Sequence, residues 1–416
     1  MTTIDDLSHW PHPRGQFYFE KRVIAVKKEE PPVKKAVSVE SFVFLVALLG
    51  FFTWLGMKMG VVNLFNTLMN TAYQLLMDTV FYIMAIAVLA GAVSGLLVEF
   101  GVVSLINKLM SPLMRPIYGL PGASILGVVA TYLSDNPAIL TLADDKGFRR
   151  YFKQYQLPAL TNIGTAFGMG MIITAFMIGI VSPTGESFIG PALIGNLGAI
   201  IGSVVSVRLM LHFTKKEYPD SPCDVDTSKD AVDLIKYRVV RSGSVGTRFI
   251  GAMLDGGKSG VAMGMAIIPG VLVICSIVLL LTNGPSASGE YTGAAYEGVA
   301  LLPWLGEKIQ FILSPLFGFT SSEGIAVPIT ALGAAGASIG LVPRMVEQGL
   351  ANGNDIAVFT AMCMCWSGYL STHVAMMDTL GCSRMTGKAI LCHTLGGLCS
   401  GICAHWIYVL MKLIWP

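Results

Sequence analysis

The sequence predicts an all-α integral membrane protein, an inverted repeat with two re-entrant helical hairpins, about seven spanning helices and interfacial amphipathic helices. Three observations carry that prediction. Hydrophobic residues fill 53% of the 416 positions and charged residues only 13%, and the mean hydropathy is +0.65, far from the mix of a soluble domain. The segment 105–137 returns as 305–338, each an amphipathic helix ending in Ser-Pro-Leu, then an aromatic-Gly pair and a Gly-interrupted apolar run. Most of the 28 Lys and Arg residues fall on one side of the membrane if the N-terminus is cytosolic, the bias that sets orientation.

Residues 1–38 are polar and Pro-rich, with no apolar stretch behind a short basic start, and read as a cytosolic tail instead of a cleaved signal. Residues 39–60 form an extra transmembrane helix. The first repeat covers 61–216 with its hairpin at 119–142, a charged cytosolic linker covers 217–245, and the second, inverted repeat covers 246–416 with its hairpin at 318–342. Apolar runs of spanning length occupy 41–60, 77–100, 156–181, 190–213, 260–281, 356–380 and 387–413. The segments 119–142 and 318–342 are apolar but carry Gly, Pro or polar residues in their middles. Non-helical backbone at membrane depth survives only where protein or a water-filled cavity covers it, which favours hairpins over two more spans.

The charges agree with hairpins. As full spans, these segments would set Lys108 and Arg115 opposite Arg149 and Arg150 and degrade the one-sided pattern. Each repeat has three spans and one hairpin, and an odd number of spans turns the second copy upside down, so the hairpin tips can meet near the midplane. The segments 102–113 and 301–316 place apolar residues along one helical face and Lys108, Glu307 and Lys308 on the other, as interfacial helices do.

The net charge of +2 makes no case for nucleic acid, because the basic residues flank apolar segments. The eight cysteines argue against a disulfide framework, since all but Cys223 lie in apolar helical segments. Cys363 and Cys365 point to different helix faces, and His373, His393 and His405 lack metal-ligand spacing, so no metal site is expected. His393 does occupy the place that Asn196 holds in the first copy, because GKAILCHTLGG echoes GPALIGNLGA.

A repeated pair of interrupted apolar segments is the sequence pointer to a secondary transporter's binding site. The sharpest local signal is Ser134-Asp135-Asn136-Pro137 within an apolar run. An ionisable residue at membrane depth is costly and faces a cavity, a partner or a cation. Pro137 removes a donor and disfavours helix at Asn136, which frees carbonyls that could coordinate Na⁺. Asp135 as a helix cap is the plain alternative. The second copy offers Gly333 to Ser338, small and neutral. The following helices add Asn162 and Thr165, and Ser371, Thr372, His373 and Asp378. Ser371 and Asp378 lie two turns apart on one face. The candidate substrate and ion site is therefore Ser134, Asp135, Asn136, Asn162, Thr165, Ser338, Ser371, Thr372, His373 and Asp378, with Na⁺ or H⁺ as coupling ion and no other cofactor. No phosphate-binding loop, Gly-x-Ser-x-Gly or zinc-protease motif supports an enzyme.

On Ser111-Pro112-Leu113, the Gly-rich run behind it and the repeat of that unit at Ser314-Pro315-Leu316, the chain resembles the nucleoside-recognition, or Gate, domain membrane proteins. That grouping takes in parts of concentrative nucleoside transporters and of ferrous iron transporters. The resemblance covers most of 65–415 and implies two re-entrant hairpins, two unwound core helices and Na⁺-coupled or H⁺-coupled uptake. The nucleoside transporters carry Gln-Thr-Glu in the first hairpin, where this chain has Ser134-Asp135-Asn136. The GTP-binding domain of the iron transporters has no counterpart in this sequence. The expected protein is thus a multi-pass transporter of the inner membrane, homo-oligomeric in lipid, moving a small polar and possibly nucleoside-like solute. The alternatives are a non-transporting scaffold or regulator of envelope or spore assembly, or an exporter of an anion, a lipid-linked species or a metal ion.

Overall fold

The computed structural model describes residues 35–136, 138–139, 142, 146–223, 237–286 and 288–414. Most of the predicted N-terminal tail, the core of the predicted linker at 224–236 and part of the second arm expected for the first hairpin lie outside them. Apart from one isolated bridge between Lys153 and Pro222, the described residues form helices and their connections. Six of these helices are long and apolar enough to span a membrane. They carry a broad exposed apolar surface, including Phe42, Phe44 and Leu49 on the first helix, as lipid-facing surface requires.

Helix α1, Val39–Met59, turns at Gly60 into α2, Val61–Gln74. A π-helical turn, Leu75–Val80, joins α2 to α3, Phe81–Glu99, as one 39-residue span. The predicted span began only at residue 77, because Asn63, Thr67, Asn70 and Thr71 put a polar stripe on α2. The structure satisfies that stripe with the loop 283–300. Asn63 Nδ2 donates to the Tyr291 carbonyl at 2.8 Å, Asn70 Nδ2 to Gly293 at 2.9 Å, and the Tyr296 N–H donates to Thr71 Oγ1 at 2.8 Å. Buried polar groups need such partners.

After α4, Val102–Tyr118, and α5, Ser124–Leu133, come α6, Leu157–Thr165, and α7, Gly170–Gly179, then α8, Ile189–Glu217. The second half repeats the design. Helix α9, Val245–Pro269, passes through its own π turn, Gly270–Cys275, into α10, Ser276–Thr282. This 38-residue span also starts well before the predicted residue 260. Helix α11, Leu301–Phe317, is bent by 77° against the segment Ser322–Ala331. That segment ends in α12, Ala326–Ala331, which packs against α13, Ala335–Glu347, across a break at 332–334. Helices α14, Gly353–Cys365, α15, Tyr369–Thr379, and α16, Thr386–Ile414, complete the chain.

The two copies grip one another through small residues. A Cβ on Gly91 of α3 would lie 2.3 Å from the Gly256 carbonyl of α9, and one on Gly202 of α8 would lie 2.4 Å from the Gly396 carbonyl of α16. With no hydrophobic drive between helices in lipid, such backbone approach supplies the packing energy.

Equivalent residues fix the bends that follow α4 and α11. Gly119 and Gly318 both take left-handed backbone, φ 76° and 61°. In the first copy Gln156 Nε2 donates to the Gly119 carbonyl at 2.9 Å, and Arg208 Nε donates to Ile117 at 2.8 Å. One residue short of the same offset along the second copy, Asn354 Nδ2 donates to Phe317 and Gly318 at 2.9 and 2.7 Å, and its Oδ1 meets His405 Nδ1 at 2.7 Å. Buried Asp355 adds acceptors for the Thr320 N–H and hydroxyl. The repeat is thus written in side-chain hydrogen bonds that use different residue types for one job.

Candidate functional site

The resemblance implied two unwound core helices, and two spans that hydropathy alone reads as continuous, 156–181 and 356–380, are each broken. The first divides into α6 and α7 at 166–169, and the second into α14 and α15 at 366–368. One residue at each break is left-handed, Met169 at φ 54° and Gly368 at φ 55°. Hydropathy could not reveal the breaks, because the residues around them remain apolar or small.

The breaks meet at Asn136. A Cβ on Gly168 would stand 2.4 Å from Asn136 Oδ1 and 2.7 Å from Ser367 Cβ, so only glycine lets the three segments converge. Asn136 is 4% exposed. Its Nδ2 donates to the Ser367 carbonyl, while its Oδ1 is buried with no hydrogen-bond partner. From the Cβ position of Gly368, Asn136 Nδ2 lies at 3.4 Å, and the Ser371 and Thr372 hydroxyl oxygens each at 3.8 Å. Asp135 stands behind this centre and accepts the Asn136 N–H at 2.7 Å.

A second polar group supports the break in α14 and α15. Asn162 Nδ2 donates to Ser206 Oγ and to the Ala389 carbonyl, both at 2.9 Å. Ser206 Oγ meets His393 Nδ1 at 3.1 Å, and His393 Nε2 reaches the Cys365 carbonyl at 2.6 Å. A carbonyl can only accept, so Nε2 carries the proton, and in the neutral ring Nδ1 then accepts from Ser206. The His373 ring lies 4.8 Å from that of His393. The chain thus caps a carbonyl adjoining the break.

The predicted residues divide accordingly. Asp135, Asn136, Ser371 and Thr372 gather at the breaks, and Asn162 and His373 lie in the supporting group. Ser134 and Thr165 hydroxyls donate to carbonyls of their own helices, Ala130 at 2.9 Å and Thr161 at 2.8 Å, the usual fate of such side chains. Ser338 donates to Ala335 at 2.8 Å and to Cys363 Sγ at 3.1 Å, within α13 and α14 packing. Asp378 departs from the expectation: it is exposed and accepts the Ser383 hydroxyl at 2.5 Å, closing the turn after α15. Ser367, Gly168, Ser206 and His393 were missing from the predicted set. The echo between His393 and Asn196 was the available signal for the last, whereas nothing local marks Gly168.

No protein-family model matches the chain, and no curated protein does. Solved structures do match. An outward-facing structure of a doubly substituted CNTnw, a concentrative nucleoside transporter, is 12% identical over 90% of this chain and 85% of that one, with a TM-score of 0.53. An inward-facing, substrate-bound structure of CNTnw is 15% identical over 88% of this chain and 84% of that one, with a TM-score of 0.49. The chain is therefore an all-α, multi-pass integral membrane protein. Its fold is like that of the concentrative nucleoside transporters.

Proposed function

We propose that the chain is an ion-coupled secondary transporter of a small polar solute in the inner membrane, with its N-terminus cytosolic, its two repeats inverted and the coupling cation held at Asn136. The observation that carries this reading is the buried, unpartnered Asn136 Oδ1 where two broken helices and a hairpin tip meet. A buried acceptor without a donor costs about 1–3 kcal/mol, and a cation offsets that cost. Unwound backbone between half-helices is how transporters expose carbonyl oxygens to Na⁺. Asp135 supplies a compensating charge, Thr372 offers its hydroxyl to the solute beside the ion, and Ser371, whose proton goes to the Gly368 carbonyl at 3.0 Å, offers its oxygen as an acceptor. A cation bound there draws three separate chain segments together, so it favours the conformation in which they touch.

The test uses proteoliposomes under imposed Na⁺ or H⁺ gradients, with melting curves of the detergent-purified protein in NaCl and choline chloride. Gradient-driven uptake and cation-dependent stabilisation are expected in the wild type. Both should be lost in Asn136→Ala and Asp135→Asn, with monodisperse protein retained. Undiminished cation dependence in these variants would overturn the assignment.

A further inference from the structure

A cavity of about 690 Å³ opens at the far end of α7 from Gly168, between the π turn of α2 and α3, the loop 283–300 and α13. This volume lies within the roughly 300–1,000 Å³ of small-molecule sites. Its wall carries Gln74, Asp78, Tyr82, Tyr296, Arg344 and Glu347. Arg344 is the informative member. Its guanidinium stacks over the Tyr296 ring with Cζ 4.0 Å from the centroid, and its Nε is buried with no hydrogen-bond partner. Among the described residues no close ion pair ties Arg344 to Asp78 or Glu347, although Glu347, three residues on, acts on it electrostatically.

From this geometry we infer that the cavity binds a zwitterionic solute, its carboxylate on Arg344 and its ammonium on Asp78 or Glu347. Stacking on Tyr296 fixes the guanidinium plane and leaves its N–H fork to a planar anion, the geometry arginine shares with carboxylates. A simple anion would enter beside two carboxylates, and a simple cation beside a desolvated guanidinium. A solute bearing both charges satisfies each side. The inference concerns binding and stands apart from ion coupling at Asn136.

The test is equilibrium binding by the full chain in detergent, read as ligand-dependent melting, which rises by mass action when a ligand binds only the folded state. The probes are L-alanine, dialanine and trialanine at millimolar concentration, each peptide also as its N-acetyl and its amide form. At least one unblocked probe should raise the melting temperature by several degrees, while its blocked forms give little shift. Arg344→Gln and the double variant Asp78→Asn with Glu347→Gln should each remove the response with the unliganded melting curve and gel-filtration profile kept. Arg344→Lys should restore less than half. If none of the three unblocked probes shifts the curve, if blocked and unblocked forms act alike, or if Arg344→Gln responds fully, the inference fails. Uptake assays report separately, so loss of binding here leaves the coupling proposal to its own experiment.

Discussion

The Asn136 side-chain amide donates to the Ser367 carbonyl, tying the segment that follows α5 to the break between α14 and α15. Residues far apart in the chain thereby share one buried point, and the Asn136 oxygen is left facing it without a donor. Replacing Asn136 with Leu removes both functions, whereas Asp keeps oxygen atoms and adds charge. Asn136→Asp is expected to retain a cation response that Asn136→Leu lacks, measured as the melting shift between NaCl and choline chloride.

His393 donates to the Cys365 carbonyl and accepts from Ser206. His393→Leu takes the donor from the buried Cys365 carbonyl and the acceptor from the Ser206 hydroxyl, which keeps only its bond from Asn162, at about 1–3 kcal/mol. The melting temperature should fall by several degrees. His393→Gln, whose amide can offer a donor and an acceptor, should recover part of that loss.

Gly202 sits where a Cβ would meet the Gly396 carbonyl at 2.4 Å. Backbone cannot swing aside as a flexible side chain can. Gly202→Leu should therefore cost about 1–3 kcal/mol or more. A substitution of Gly190, with nothing within 4 Å of its Cβ position, should be nearly silent. Parallel thermal melts of the two variants test the contrast.

Glu297 anchors the loop 283–300. Burial pushes its carboxyl up, but the Thr292 hydroxyl and N–H, the Gly293 N–H and the Thr67 hydroxyl outweigh that and hold it below the ordinary carboxylate range. Because the folded value is depressed, its contribution to stability is fully present above the unfolded value of about 4.3 and is lost as pH falls through the folded value. Glu297→Gln should lower the melting temperature at neutral pH and shrink its decline on acidification below about pH 4.3. Equal acid sensitivity in wild type and variant would exclude this source.

The class of protein was legible in composition and in the repeat of Ser-Pro-Leu, because lipid imposes length and polarity on every span. Asp135 and Asn136 stood out for the same reason, as polar groups in an apolar run. The polar stripe Asn63 to Thr71 misled, since a sequence cannot say that a loop more than 200 residues away will hydrogen-bond it. The helix breaks at 166–169 and 366–368 were equally hidden from residue patterning, for they exist where tertiary contact supplies partners to the freed backbone. What the sequence determined by itself was that this chain lies in a membrane as two related halves. Only the tertiary structure decided that Gly168, Ser367 and Asn136 share a point, that His393 supports it and that Asp378 does not, because those are facts of approach between segments that no local pattern encodes.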